Sequence, residues 1–170
     1  MQQIINKDNV YPFRFKGGDQ NLYEFDTDNV ISYDVRFKPC DYIFEGRVDF
    51  HVPTFELTIE VAVNETGKKP PLDPKIPFTI ASIFADFYQK NDRQVIIFIC
   101  DSSDRKQEVR RRKFNQWVEF FKGNEYVKFD TEIIDPIGST YYNSIILKTD
   151  NPYRDQIIQS FFDLADDYKK

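Results

Sequence analysis

The amino-acid sequence predicts an α+β domain: a mixed, mainly antiparallel sheet of about seven strands with three helices, in the order ββββ-α-β-α-ββ-α. Three observations predict it. The first sixty-odd residues alternate apolar and polar with a period of two. Three later segments place apolar residues at helical spacings of three and four. Between the first two of these, Val95-Ile96-Ile97-Phe98-Ile99-Cys100 is apolar throughout, as a central strand covered on both sides would be.

The opening strands come from Tyr11-Phe13-Phe15 against Arg14 and Lys16, and then from Tyr23-Glu24-Phe25-Asp26, with Lys16-Gly17-Gly18-Asp19 turning between them. Asp28-Asn29 turns the chain again. The third strand sets Ile31, Tyr33, Val35 and Phe37 against Ser32, Asp34, Arg36 and Lys38. The fourth sets Phe55, Leu57, Ile59, Val61 and Val63 against Thr54, Glu56, Thr58 and Glu60. Such alternation describes one dry and one wet face, and the mixed charges of the wet face suit cross-strand pairing.

The loop Gly67-Lys68-Lys69-Pro70-Pro71-Leu72-Asp73-Pro74 leads into the first helix, with Asp73 suited to the N-cap and Pro74 to the first turn. Ile76, Ile80, Phe84 and Phe87 carry that helix to about Lys90. A second helix is expected from about Asp104 to Phe121, ended by Gly123-Asn124. Strands follow near Tyr126–Ile134 and Tyr141–Thr149. Asp150-Asn151-Pro152 then opens a last helix striped by Tyr153, Ile157, Phe161, Leu164 and Tyr168. No linker divides the chain, so residues 1–170 read as a single domain, a strand meander over 1–63 and an α/β part over 64–170.

Composition narrows the function classes. With 41% hydrophobic and 30% charged residues the chain is no disordered polyelectrolyte, and its longest apolar run is far short of the roughly 20 residues of a membrane span. Residues 1–15 show no basic segment followed by an apolar stretch, and Cys40 and Cys100 stand alone, so a reducing cytoplasmic location without a disulfide is expected. The single histidine, His51, rules out a His-rich metal site within the chain and reads as a surface or capping residue. No motif for a cofactor or a catalytic metal is present, and Asp101 with Asp104 reads as loop and capping carboxylates rather than a Mg²⁺ site.

The net charge of −5 is unevenly spread: residues 102–122 hold seven basic residues against three acidic ones, inside an otherwise acidic chain. This segment leaves the carboxyl end of the apolar strand, where α/β sheets tend to put ligands. Ser102 and Ser103 offer hydroxyls, and Asp104 with Gln107 fits a capping box. On a helical projection Arg110 lies at the centre of the face formed by Phe114, Trp117, Val118, Phe120 and Phe121. Lys106 and Lys113 lie near its edge, while Arg105, Arg112, Glu108 and Glu119 point away. An inward charge must be paired or face a cleft.

Three readings follow. Arg110 pairs with a carboxylate such as Asp101, Asp104 or Asp73; or Asp101, Ser102, Ser103, Asp104, Lys106, Arg110 and Lys113 line an anion site for a phosphate or nucleotide; or the arginines face an acidic partner or a nucleic acid. Nucleic acid fits least, because the basic residues circle the helix and the rest of the chain is acidic. Lys68-Lys69-Pro70-Pro71 suits either a partner-binding loop or a rigid lead into the first helix, and Tyr141 or Tyr142 could anchor an interface.

Lys69-Pro70-Pro71-Leu72-Asp73, then Cys100-Asp101-Ser102-Ser103-Asp104 with Arg110, Lys113-Phe114 and Trp117, then Asp150-Asn151-Pro152-Tyr153-Arg154 resemble an uncharacterised family of small bacterial proteins known only as a domain of unknown function. The resemblance implies a bacterial cytoplasmic protein and supplies no activity. Taken with the missing catalytic constellation, the sequence suggests a non-enzymatic module that binds a protein partner. The alternative is a phosphate- or nucleotide-binding protein, or an enzyme, that uses the 101–113 loop and basic helix.

Overall fold

The computed structural model describes residues 7–100 and 106–168. Its seven strands are β1 (Phe13–Gly17), β2 (Leu22–Asp26), β3 (Ile31–Pro39), β4 (Thr54–Asn64), β5 (Val95–Cys100), β6 (Tyr126–Ile134) and β7 (Thr140–Lys148). The three helices are α1 (Lys75–Lys90), α2 (Gln107–Phe121) and α3 (Arg154–Asp167), so the element order is the one the sequence predicts. The sheet runs β1-β2-β3-β4-β5-β7-β6. Every neighbouring pair is antiparallel except β4 and β5, whose crossover is α1.

Two cores sandwich this sheet. On one face α1 and α2 bury Phe84, Phe87, Phe114 and Val118 against Tyr23, Phe37, Leu57 and Ile96. On the other, α3 buries Ile157 and Phe161 against Val95, Ile97, Ile145 and Leu147. The segment between β3 and β4, which the sequence marks only as a connection, forms a short 3-10 turn (Asp41–Ile43) and adds Phe44 and Val52 to this second core. The uncovered face of β2–β4 carries paired charges as expected, with Arg36 bridging Asp34 at 2.5 Å and Glu60 at 2.8 Å. No helix among the described residues is long and apolar enough to cross a membrane.

The structure corrects several boundaries. Pro74, not Asp73, is the N-cap of α1, and the helix begins at Lys75; Asp73 lies one residue outside and accepts the Lys75 N–H at 2.9 Å. Before α3, Asn151 accepts the Tyr153 N–H at 2.9 Å and holds a turn at Pro152 before the helix begins at Arg154. For α2 the first helical residue is Gln107, not the region of Asp104, and Lys106 is already outside helical geometry. The alternation of β4 also breaks: Tyr33 pairs with Val61 but Ser32 with Val63, which leaves Ala62 as a bulge and sends Val61 and Val63 to opposite faces. Finally, β5 is covered on both sides only in its first half, since Ile99 is 38% exposed.

The β2–β3 turn contains a strained residue. Val30 has φ +58°, a left-handed conformation that a β-branched side chain adopts at a cost of roughly 1–2 kcal/mol, and its side chain is exposed. Val30→Asn is therefore expected to stabilise the fold by about 1 kcal/mol, read as an upward shift of the urea midpoint. An unchanged or lower midpoint would show that the strain is relieved elsewhere.

Candidate functional site

The single parallel pair of the sheet is also its shortest. β4 and β5 pair at only three positions, Thr54↔Val95, Phe55↔Ile96 and Glu56↔Ile97, although β4 continues to Asn64 and β5 to Cys100. Beyond Glu56 β4 stays paired with β3, while β5 stays with β7 as far as Cys100↔Tyr142. The two strands thus part toward their carboxyl ends. Among the described residues no strand pairs with the facing edges of that gap, which turn alternate N–H and C=O groups into it. The hydroxyl of Thr58, at the point of parting, is buried without a hydrogen-bond partner.

Both connections that follow these strands carry basic residues. The loop after β4 brings Lys69, and α2 brings Lys106, Arg110 and Lys113. The Lys113 ammonium titrates below the ordinary lysine range, first because it is partly desolvated and then because the like charge of Lys69 is near. Lys69, from a segment more than forty residues away, is thus near enough to disfavour the charged form of Lys113. Lys113 also lies over the Trp117 ring, 5.2 Å from its centroid. Lys106 is exposed and Arg110 half-buried, and neither is without a partner. The Asp73 carboxylate, one partner considered for Arg110, receives the Tyr11 hydroxyl at 2.7 Å. Asp101, Ser102, Ser103 and Asp104 lie outside the described residues, so the geometry bears only on Lys106, Arg110 and Lys113 of the expected set.

Glu108 corrects the helical projection, which turned it away from the sheet. Its carboxylate accepts the Tyr142 hydroxyl from β7 at 2.5 Å and pairs with Arg111 at 3.2 Å, and the Arg111 guanidinium stacks over the Tyr142 ring at 4.3 Å. The Tyr142 phenol and Arg111 hold the Glu108 carboxyl below its usual range. Tyr142 is thus engaged within the chain, fixing the first turn of α2 to the sheet beside Cys100. The helix opens at Gln107, later than expected, and its first turn meets β7 through Tyr142. Lys69, Glu108, Arg111 and Tyr142 join the site only through this packing; of them the sequence marked only Lys69, in Lys68-Lys69-Pro70-Pro71, and Tyr142, as a candidate interface anchor.

The remaining candidates are quieter. His51 is exposed and its Nε2 lies 2.7 Å from the Asp41 carboxylate, whose other oxygen accepts the Thr54 N–H. Cys40 and Cys100 are buried free thiols. Among the described residues no three His, Cys, Asp or Glu side chains converge as metal ligands.

Fold and charge define a class: an α+β domain whose mixed sheet holds one short parallel pair, with cations on the loop and helix that follow its two strands. Within that class the chain belongs to the family of unknown function DUF6169, whose model matches residues 72–163. The match begins in the loop beside Lys69 and ends in α3, so it takes in α1, β5, α2 and both later strands. No curated protein and no solved structure matches the chain.

Proposed function

We propose that this protein binds a phosphorylated small molecule in the crevice between β4 and β5, its anionic head on Lys69 and Lys113 and an extended amide-bearing arm laid between the two strands. The parting of β4 and β5 after three paired positions carries the reading. Ligands of α/β sheets bind outside the carboxyl ends of parallel strands. An open strand edge recognises an extended amide chain through main-chain hydrogen bonds, and here two such edges face each other. Phosphate suits the neighbouring ammonium groups, since an anion beside Lys113 offsets the like charge of Lys69 and favours the charged form that burial disfavours. Coenzyme A, a group carrier with a nucleotide head and a two-amide arm, has this chemistry.

A protein partner, the other reading of the sequence, finds less support. The most exposed large apolar residues, Leu72 and Ile137, stand on separate loops, and scattered single residues are ordinary surface.

Thermal melts with coenzyme A, ADP, pantetheine and orthophosphate test the proposal. A ligand at 100 times its Kd stabilises by about 2.7 kcal/mol, or roughly 5–10 °C for a domain of this size. Coenzyme A is expected to give the largest shift, and Lys69→Gln with Lys113→Gln, both exposed in the free protein, to abolish it. No shift with any phosphate compound, or an equal shift in the double variant, would overturn the reading.

A further inference from the structure

We propose a second binding site, on the α3 face of the sheet, for an organic amine with a small apolar body. A cavity of about 430 Å³ opens there, at the small end of the range for small-molecule sites. Ile97, Ile99 and Ile133 form its floor, and Phe161 and Leu164 of α3 form one wall. Ile99 belongs to an inner strand yet is 38% exposed, because nothing in the described chain covers its side chain on this face.

Two features indicate a ligand rather than a packing gap. First, unmet polar groups stand on its floor. The Thr131 hydroxyl is buried without a partner. Asn143 sits opposite Thr131 across the β6–β7 ladder and is 9% exposed, and its amide makes only a 3.5 Å bond to the Tyr141 carbonyl. Buried polar groups left this way are costly until something hydrogen-bonds to them. Second, the mouth is built for a cation. Tyr42, Tyr141 and Tyr168 line it, and aromatic rings attract a positive charge. Asp135 stands among them, fixed by the Ile137 and Ser139 N–H groups at 3.0 and 2.8 Å and by the Tyr141 hydroxyl at 3.3 Å, with no cation paired to it among the described residues. An adjoining hollow of about 400 Å³ adds Glu132 and Asp166 to the rim. No lysine, arginine or histidine among the described residues lines either space. The local field therefore excludes anions and draws in an amine, whose body the isoleucines bury.

This site is independent of the crevice, and its test uses other probes. Phenethylamine, phenethyl alcohol and 3-phenylpropionate differ mainly in the charge of the head group. Titrated into isotope-labelled protein and followed by amide NMR shifts, the amine is expected to perturb Ile99, Thr131 and Tyr141 saturably. It should bind about tenfold tighter than the alcohol, equivalent to about 1.4 kcal/mol, with no binding of the carboxylate. Ile99→Trp fills the cavity at a partly exposed position and should abolish the response. Asp135→Asn keeps both turn acceptors and should bring amine and alcohol to equal affinity. The proposal fails if the amine does not saturate, if the carboxylate binds as well, or if Ile99→Trp leaves the response unchanged.

Discussion

Phe37→Ala is expected to destabilise the protein by about 3–5 kcal/mol, the cost of emptying a large aromatic site in a core that relaxes only in part. At roughly 2–4 °C per kcal/mol this lowers the melting temperature by about 6–20 °C. Phe37 is fully buried in β3, where its ring stacks on Phe87 of α1 at 3.9 Å between centroids and meets Phe84 edge-on at 5.7 Å and Tyr23 at 5.9 Å. It is therefore the joint between the antiparallel meander and the helix that crosses from β4 to β5. Its loss also strips contacts from Tyr23, whose hydroxyl donates to Asp86 of α1 at 2.7 Å. Phe15→Ala provides the contrast, because Phe15 is 47% exposed and its truncation should cost about 1 kcal/mol or less. A loss below about 1.5 kcal/mol for Phe37→Ala, measured by urea unfolding, would mean that the stack is not the main tie between sheet and helix.

That joint was legible in the sequence, because it depends on periodicity alone. Phe37 falls on the apolar phase of the strict alternation in β3, and Phe84 and Phe87 fall on the stripe of α1, so both had to face the same core. The apolar run of β5 likewise marked a strand inside the sheet. Periodicity does not report how far two strands stay together, and so the crevice was hidden. Phe55, Leu57, Ile59, Val61 and Val63 look like one unbroken face, yet the bulge at Ala62 divides them, and nothing in those residue types announces an extra residue in the ladder.

The site was legible in part for the same reason. The excess of cations after β5 is a local property of the chain and led to Lys106, Arg110 and Lys113. The approach of Lys69 to Lys113 joins two connections across α1 and β5, and sequence spacing carries no trace of it. Glu108 and Tyr142 meet only because β7 lies between β5 and β6. A hairpin signal for β6 and β7 predicts that they pair, not which of them lies inside.

Alkaline unfolding should begin near pH 9 and be steep by pH 12. Burial pushes the Cys40 thiol from about 9 up to about 12, aided by the nearby charges of Glu56 and Asp41, and burial likewise pushes the Tyr11 and Tyr126 phenols from about 10 to about 12. All three residues are less than a tenth exposed. Each has a folded pKa above its unfolded value, so its contribution is fully present below the unfolded pKa and is lost as pH rises toward the folded one. At about 1.4 kcal/mol per pH unit the thiol alone withdraws on the order of 4 kcal/mol by pH 12, and the phenols add to this from pH 10. Urea midpoints measured from pH 7 to 12 should therefore stay level to about 9 and then fall. Cys40→Ala is expected to lower the plateau by about 1 kcal/mol, since a small apolar group is removed from a packed site. It should also move the start of the fall from near pH 9 to near pH 10, where only the phenols remain. If the start does not move, the thiol ionises without opening the segment between β3 and β4. The tyrosines that tie α1 and β6 to the sheet would then set the alkaline limit alone.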